Sequence, residues 1–297
     1  MKTFYSNGKL LLTGEYVVLD GALSLAIPTK NGQSLTVKES TQKGIHWKSF
    51  NENGELWFEA QFQLDDESLK DTNEILFQLI TILKEAQKSN PSFLVNEHIE
   101  VNTQFNFPQN WGLGTSSTLL NNIAQWAKVD GFQLLKNSFG GSGYDIAVAQ
   151  NNTPILYQLK AGKPSVEKKT IDWSFMDELF FVHLNQKQNS REGIFQYKSK
   201  SISSETISEI CSLTQSFITC KSISNFEKLV EAHEAIISKV IQLPTVKELL
   251  FKDYPFAMKS LGAWGGDFIL VVGNAGYHDY FKKKGFTTVI PFKEMLL

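Results

Sequence analysis

Cysteine is scarce in this sequence: Cys211 and Cys220 are the only two in 297 residues. Two thiols build no disulfide framework, and these show neither C-x-x-C spacing nor accompanying histidines. The pattern fits a reducing compartment and gives no sign of a sulfur-based metal site. Long apolar runs are missing too. No uninterrupted stretch approaches the roughly eighteen residues that a membrane helix needs, and Met1 to Leu12 has no apolar run long enough for a secretory h-region. Excess positive charge is also absent. A net charge of −2 gives no electrostatic reason to expect nucleic acid. The short basic cluster Lys282 to Lys284 reads as a solvated turn in preference to an anion site. Asn151-Asn152-Thr153 matches a glycosylation sequon, which has no meaning without secretion. The expectation is a cytoplasmic chain with no membrane and no nucleic-acid partner.

What is present is ordinary globular usage, 42% hydrophobic and 20% charged, with enough chain for two domains. The first hundred residues read mostly as strands, at Lys9–Leu12, Ser34–Lys38, Ile45–Phe50 and Leu56–Phe62. One helix interrupts them, with Ile75, Leu79, Leu83 and Ala86 at helical spacing and Asp71 with Glu74 as a capping pair. A strand, His98–Phe105, leads through Pro108 into a glycine-rich loop and a helix over Ser116–Lys128. After a polar stretch, Ala161 to Lys169, helices dominate. Ile207, Ile210, Thr214 and Phe217 share a face; Ser224-x-x-Glu227 and Thr245-x-x-Glu248 read as capping boxes; and Phe180–Leu184, Phe268–Val272 and Thr287–Phe292 read as strands. Strands and helices that do not strictly alternate predict an α+β protein, divided into residues 1–165 and 166–297.

Three segments carry chemistry. Pro108-Gln-Asn-Trp-Gly-Leu-Gly-Thr-Ser-Ser-Thr118 lies between a strand and a helix. Gly112 and Gly114, flanking Leu113, let backbone approach a ligand. The helix start beyond them offers unpaired amides and a positive dipole end to phosphate, with hydroxyls from Thr115, Ser116 and Ser117. A glycine-serine turn of this kind also serves as a plain helix cap. It is neither a Walker loop, lacking Gly-Lys-Ser/Thr, nor a Rossmann fingerprint. Gly140-Gly-Ser-Gly-Tyr-Asp-Ile-Ala147 delivers Asp145 to a helical pattern, where an aspartate is by itself a cap or first-turn charge as readily as a catalytic group. Lys259-Ser-Leu-Gly-Ala-Trp-Gly-Gly-Asp-Phe268 precedes an apolar strand; Gly262, Gly265 and Gly266 suit a phosphate-closing loop or a plain turn. Near the start, Lys9 and Glu15 sit on an otherwise apolar strand-turn-strand, and charges there need partners.

In this order the segments resemble the GHMP kinases, the superfamily of galactokinase, homoserine kinase, mevalonate kinase and phosphomevalonate kinase. Gly8-Lys-Leu-Leu-Leu-Thr-Gly-Glu-Tyr-Val-Val-Leu-Asp-Gly21 looks like the first motif, Pro108–Thr118 the second and Gly262–Asp267 the third, so the likeness runs from residue 8 to residue 268. Gly-Ser-Gly-Tyr-Asp-Ile-Ala and the Gly-Gly-Asp ending look closest to phosphomevalonate kinases, then mevalonate kinases. The resemblance implies a two-domain GHMP kinase fold, ribosomal protein S5 domain 2-like and then ferredoxin-like, with ATP and a small-molecule phosphoryl acceptor between, acting in isoprenoid biosynthesis as monomer or homodimer. It implies Lys9 and Asp145 as catalytic residues, with Asp145 taking or orienting the acceptor proton. Gly112 to Ser117 and Gly262, Gly265 and Gly266 would hold ATP, with Ser116 on Mg2+. Glu15, Tyr16, Ser142 and Tyr144 would face the acceptor. Arg191 would bind an anionic acceptor or a surface carboxylate. Phe132, Gln133, Leu134 and Leu135 occupy the region where mevalonate kinases carry a magnesium-binding glutamate, and Trp264 replaces a third-motif glycine. Trp264 would pack beside the nucleotide or fill a gap in the core, and the alternative function is a catalytically inactive binding protein. His233, on an apolar helix face, reads as a core histidine.

Overall fold

In the computed structural model the described residues are 1–66, 73–96, 98–186, 190–198 and 201–297. Asp71, half of the expected capping pair, falls outside them. Two compact units emerge, interleaved along the chain. The first takes Met1–Gly8, Asn31–Gln109 and Leu113–Gln150; the second takes Lys9–Lys30, Asn110–Gly112 and Asn151–Leu297. Strands β1 (Lys2–Leu11) and β2 (Ser24–Glu39) pair with each other and lend residues to both units.

The first unit is a sheet under helices. The second half of β2 runs antiparallel to β5 (Ile99–Phe105), which lies parallel to β3 (Ile45–Phe50); β4 (Leu56–Phe62) forms the antiparallel edge. Among the described residues of this unit are helices α1 (Glu74–Ser89), α2 (Thr115–Ala127), α3 (Gly131–Ser138) and α4 (Tyr144–Ala149). Leu35, Ile45, Trp47 and Val101 from the sheet join Leu79, Leu83, Leu120, Ile123, Leu134 and Ile146 in one core. Alternation in the strands and 3.6-periodicity in the helices aim these side chains inward. Asn73 caps α1 by accepting the Ile75 amide at 2.8 Å.

In the second unit the first half of β2 pairs with β6 (Ile155–Lys160), which forms a hairpin with β7 (Lys163–Lys168). The polar stretch Ala161 to Lys169 is therefore mostly an exposed edge strand. An antiparallel sheet follows in the order β11-β8-β10-β9, made of Val289–Pro291, Leu179–His183, Phe268–Val272 and Met258–Ser260. Helices α5 (Ser190–Lys198), α6 (Ser204–Thr219), α7 (Ile223–Ile241), α8 (Val246–Leu250), α9 (His278–Lys283) and α10 (Phe292–Met295) complete the unit. The Thr245 capping box forms as expected. The one expected at Ser224 does not: Ser222 caps α7, and Glu227 instead accepts the Ala257 amide at 3.1 Å. Among the described residues no helix is long and apolar enough to cross a membrane.

Candidate functional site

In the first unit, α2 begins directly after Gly114, which is left-handed at φ 93° and ψ 45°, and no side chain caps it. Its first amides therefore lack partners within the helix and stand at the positive end of its dipole. The three hydroxyls expected to serve phosphate divide. Ser117 is buried and donates to the Gly114 carbonyl at 2.9 Å, whereas Ser116 is exposed. Thr118, one residue on, lies 2.7 Å from Gln33 Oε1.

Asp145 occupies the first turn of α4, after a left-handed Gly143 at φ 84°, and its Oδ1 accepts the Ile146 amide at 3.0 Å. Ile146 to Ala149 are buried and anchor this one-and-a-half-turn helix, leaving Asp145 half-buried at its start. Ser142 and Tyr144 flank it, also partly buried. Gly140 and Gly141, at φ 70° and 108°, face open space.

The second unit holds the charged residues of the first motif. Lys9 Nζ donates to the Gly112 carbonyl at 3.0 Å. Glu15 is fully buried, with Oε1 2.7 Å from Lys259 Nζ, so it presents no surface to an acceptor. Lys259, also fully buried, lies 3.5 Å from Glu234 and donates to its neighbour's carbonyl, Ser260 O, at 3.0 Å; the Ser260 hydroxyl donates to Glu234 Oε2 at 3.0 Å. His233 closes the cluster, its Nε2 accepting the Gly14 amide at 3.0 Å. That bond places the imidazole proton on Nδ1. Burial, reinforced by the Lys259 charge, holds the ring neutral by pulling its pKa well down. No local pattern in the sequence announces this cluster. The signal that could have found it is the need of a buried Glu15 for a cation.

Burial pushes the Glu234 carboxyl up to about 7, against the attraction of Lys259. Unfolded, the same group titrates near 4.5, so the native state holds the extra proton between the two values. Stability from this residue is therefore full below about pH 4.5 and is lost progressively as pH rises through about 7. Glu234→Gln is expected to flatten the fall in unfolding free energy between pH 5 and 8, read by urea denaturation. An unchanged pH dependence would remove Glu234 as its source.

Tyr16, at φ 64°, donates its hydroxyl to the Ala263 carbonyl at 2.7 Å and stacks on Tyr197 with ring centroids 5.6 Å apart. Burial, then the Glu15 charge, raises its phenol to about 12, so it stays a donor. The third glycine-rich loop takes left-handed backbone at Gly262, Trp264, Gly265 and Asp267. Trp264 is 3% exposed and points into a core with Val17, Ala22, Ile210 and Ile237, its Nε1 donating to the Pro244 carbonyl at 3.1 Å. The indole fills space in the core of its own unit, as the second of the two readings for this residue expects. Arg191 is carried on α5; its side chain lies outside what the structure describes. Among the described residues no group of three or more His, Cys, Asp or Glu forms a metal cluster.

No protein-family profile matches the sequence, and no curated protein sequence matches it. Solved structures do match by fold. Mevalonate kinase from Methanococcus jannaschii aligns with TM-score 0.68 and 15% identity over 95% of this chain and 94% of that one. Phosphomevalonate kinase from Streptococcus pneumoniae, in complex with phosphomevalonate and AMPPNP, aligns with TM-score 0.67 and 17% identity over 96% of each chain. Galactokinase from Lactococcus lactis, complexed with galactose, gives TM-score 0.67 and 14% identity over 95% and 88%. All three have the α+β fold of the GHMP kinases, and the present chain shares it along nearly its whole length.

Proposed function

We propose that this chain, with its GHMP kinase fold, is an ATP-dependent kinase of a small metabolite, acting on mevalonate, phosphomevalonate or a close chemical relative. The observation that carries the proposal is the start of α2, where a left-handed glycine replaces a side-chain cap and leaves the first amides of a thirteen-residue helix for an anion. ATP fits this feature, because Gly114 takes a left-handed backbone that a Cβ would strain, and the bare backbone there leaves room for a phosphate to approach. When bound, Mg-ATP supplies the transferable phosphoryl group and a cation that offsets its charge.

In this reading the α2 amides hold phosphate oxygens, and the exposed Ser116 hydroxyl is the protein's ligand to magnesium. Asp145 orients the acceptor hydroxyl or phosphate and accepts its proton, and the Lys9 ammonium stabilises the oxygen that attacks. Little covalent help is needed, since phosphoryl transfer depends chiefly on positioning and charge stabilisation. Tyr16 supports the third loop through Ala263, and Glu15 holds Lys259; neither is assigned to the acceptor. The free thiols Cys211 and Cys220 suit a cytoplasmic setting.

Two measurements test the proposal. Mg-ATP at about a hundred times its Kd is expected to stabilise the native state by about 2.7 kcal/mol, seen as a rise in Tm. A coupled assay should then find turnover with mevalonate or phosphomevalonate, whereas turnover with galactose alone would overturn the choice of acceptor. Stabilisation without turnover on any acceptor would favour the inactive binding protein, and the absence of both would overturn the kinase. Gly114→Val adds a sharper arm. A β-branched residue resists φ 93°, so Mg-ATP affinity is expected to fall by about tenfold or more in a folded variant, as measured by calorimetry. Unchanged affinity would place the nucleotide elsewhere.

A further inference from the structure

We propose that Asp267 is a positioning residue that fixes the backbone of Gly112 and, through it, the ammonium of Lys9. Asp267 is itself held at both ends of its peptide. Its N–H donates to the Gln186 carbonyl at 2.7 Å, and its own carbonyl accepts the Leu184 amide at 2.8 Å. Its φ of +53° is a conformation that aspartate tolerates better than most residues. The backbone is thereby locked to the end of β8, and the carboxylate is aimed.

Its target is Gly112. A Cβ built there would lie 2.2 Å from both Cγ and Oδ2 of Asp267, and 2.7 Å from Oδ1. All three carboxylate atoms thus occupy the space that any side chain at position 112 would need. Gly112 is pressed into left-handed backbone, φ +66°, and its carbonyl takes the Lys9 Nζ hydrogen bond at 3.0 Å. The two preceding residues are gripped as well. His183 Nδ1 accepts the Asn185 amide at 3.2 Å, so its proton is on Nε2, which donates to the Asn110 carbonyl at 3.0 Å. The Trp111 ring packs edge-on to Phe268, with centroids 5.3 Å apart and planes at 85°. Three consecutive residues, Asn110 to Gly112, are therefore clamped by side chains of the β8 and β10 region. Asp267 is the member that sets the peptide to which Lys9 is tied.

The consequence for turnover rests on the kinase proposal, but the geometry is testable without it. In protein carrying 13C-labelled lysine, the Lys9 signal is assigned by its loss in Lys9→Arg, and buried Lys259 serves as a reference for folding. Gly112→Ala, which drives a methyl into the carboxylate, and Asp267→Ala, which empties the space, are each expected to move the Lys9 signal beyond its line width while Lys259 stays in place. Asp267→Asn, of the same shape, is expected to leave Lys9 near its native position. An unmoved Lys9 signal in folded Asp267→Ala overturns the proposal. Should that variant unfold, Asp267→Ser, which withdraws the carboxylate from Gly112, decides instead. Calorimetry with Mg-AMPPNP on the unmodified protein separates the two ideas: no binding removes the kinase and leaves the Lys9 result standing. With an active acceptor, Asp267→Ala should lower kcat by on the order of ten- to a hundredfold, the scale of a small misplacement. KM for ATP should change little, whereas a purely structural defect would move neither the Lys9 signal selectively nor the kcat-to-KM balance.

Discussion

Asp145→Asn is expected to lower turnover by roughly two to four orders of magnitude, the range for removing a positioned acid–base group, while leaving Mg-ATP affinity nearly intact. Asparagine has the same shape, and its side-chain oxygen can still accept the Ile146 amide that Asp145 Oδ1 takes at 3.0 Å. The short helix α4, anchored by buried Ile146, Ala147, Val148 and Ala149, should therefore remain folded. What is lost is the negative charge and the capacity to take a proton. Steady-state kinetics on the accepted substrate, with calorimetry on the same preparation, separates the two effects. Full turnover by the purified variant would reassign Asp145 to a helix-start charge with no part in the chemistry.

Lys259→Met is expected to cost about 3–5 kcal/mol of stability, the scale for breaking a buried ion pair from one side. Methionine fills much of the volume of the lysine stem, so packing is not the main loss. The Glu15 carboxylate, fully buried, would lose its 2.7 Å partner, and Glu234 would lose the cation that counters its burial. Both carboxyls would then take up protons at neutral pH. The defect should consequently shrink at low pH, and Lys259→Met should approach the native protein in stability near about pH 5. Urea denaturation across that range checks it. A loss under about 1 kcal/mol at neutral pH would mean that the cluster is far better solvated than its burial indicates.

The glycine-rich segment before α2 is legible in the sequence because its signals are local. Glycines at 112 and 114 between a strand and an amphipathic helix specify left-handed turns, and the helix starts within one residue of the expected place. Thr245 with Glu248 is legible for the same reason, since a capping box closes over three residues. Failures arise where a distant partner decides the outcome. Glu227 follows Ser224 at capping-box spacing, yet the Ala257 amide, thirty residues on, claims its carboxylate. Trp264 stands among loop glycines, yet its indole packs into a core with Val17, Ala22, Ile210 and Ile237, which only the tertiary fold brings together. The second strand of the β6–β7 hairpin looks like a polar connection, because an exposed edge strand carrying Lys163, Glu167 and Lys168 has no apolar face to display a period of two. Asp267 ends the third glycine-rich motif, and nothing near it in sequence announces Gly112 as its neighbour.

The ion pair of Glu15 and Lys259 joins residues 244 apart, and this sets a timetable for biosynthesis. At roughly 5–20 residues per second, the turn carrying Glu15 leaves the ribosome on the order of ten to fifty seconds before its cation exists. During that interval Leu10, Leu11, Leu12, Val17 and Val18, all buried in the finished protein, have little to pack against, because the unit that receives Lys9–Lys30 is otherwise built from Asn110–Gly112 and Asn151–Leu297. A nascent chain stalled before residue 259 should leave this amino-terminal segment open to protease and to chaperones that grip apolar extended chain. Release of the full-length chain should close it within one cooperative step, since the long loop must be closed before the buried charges reward it.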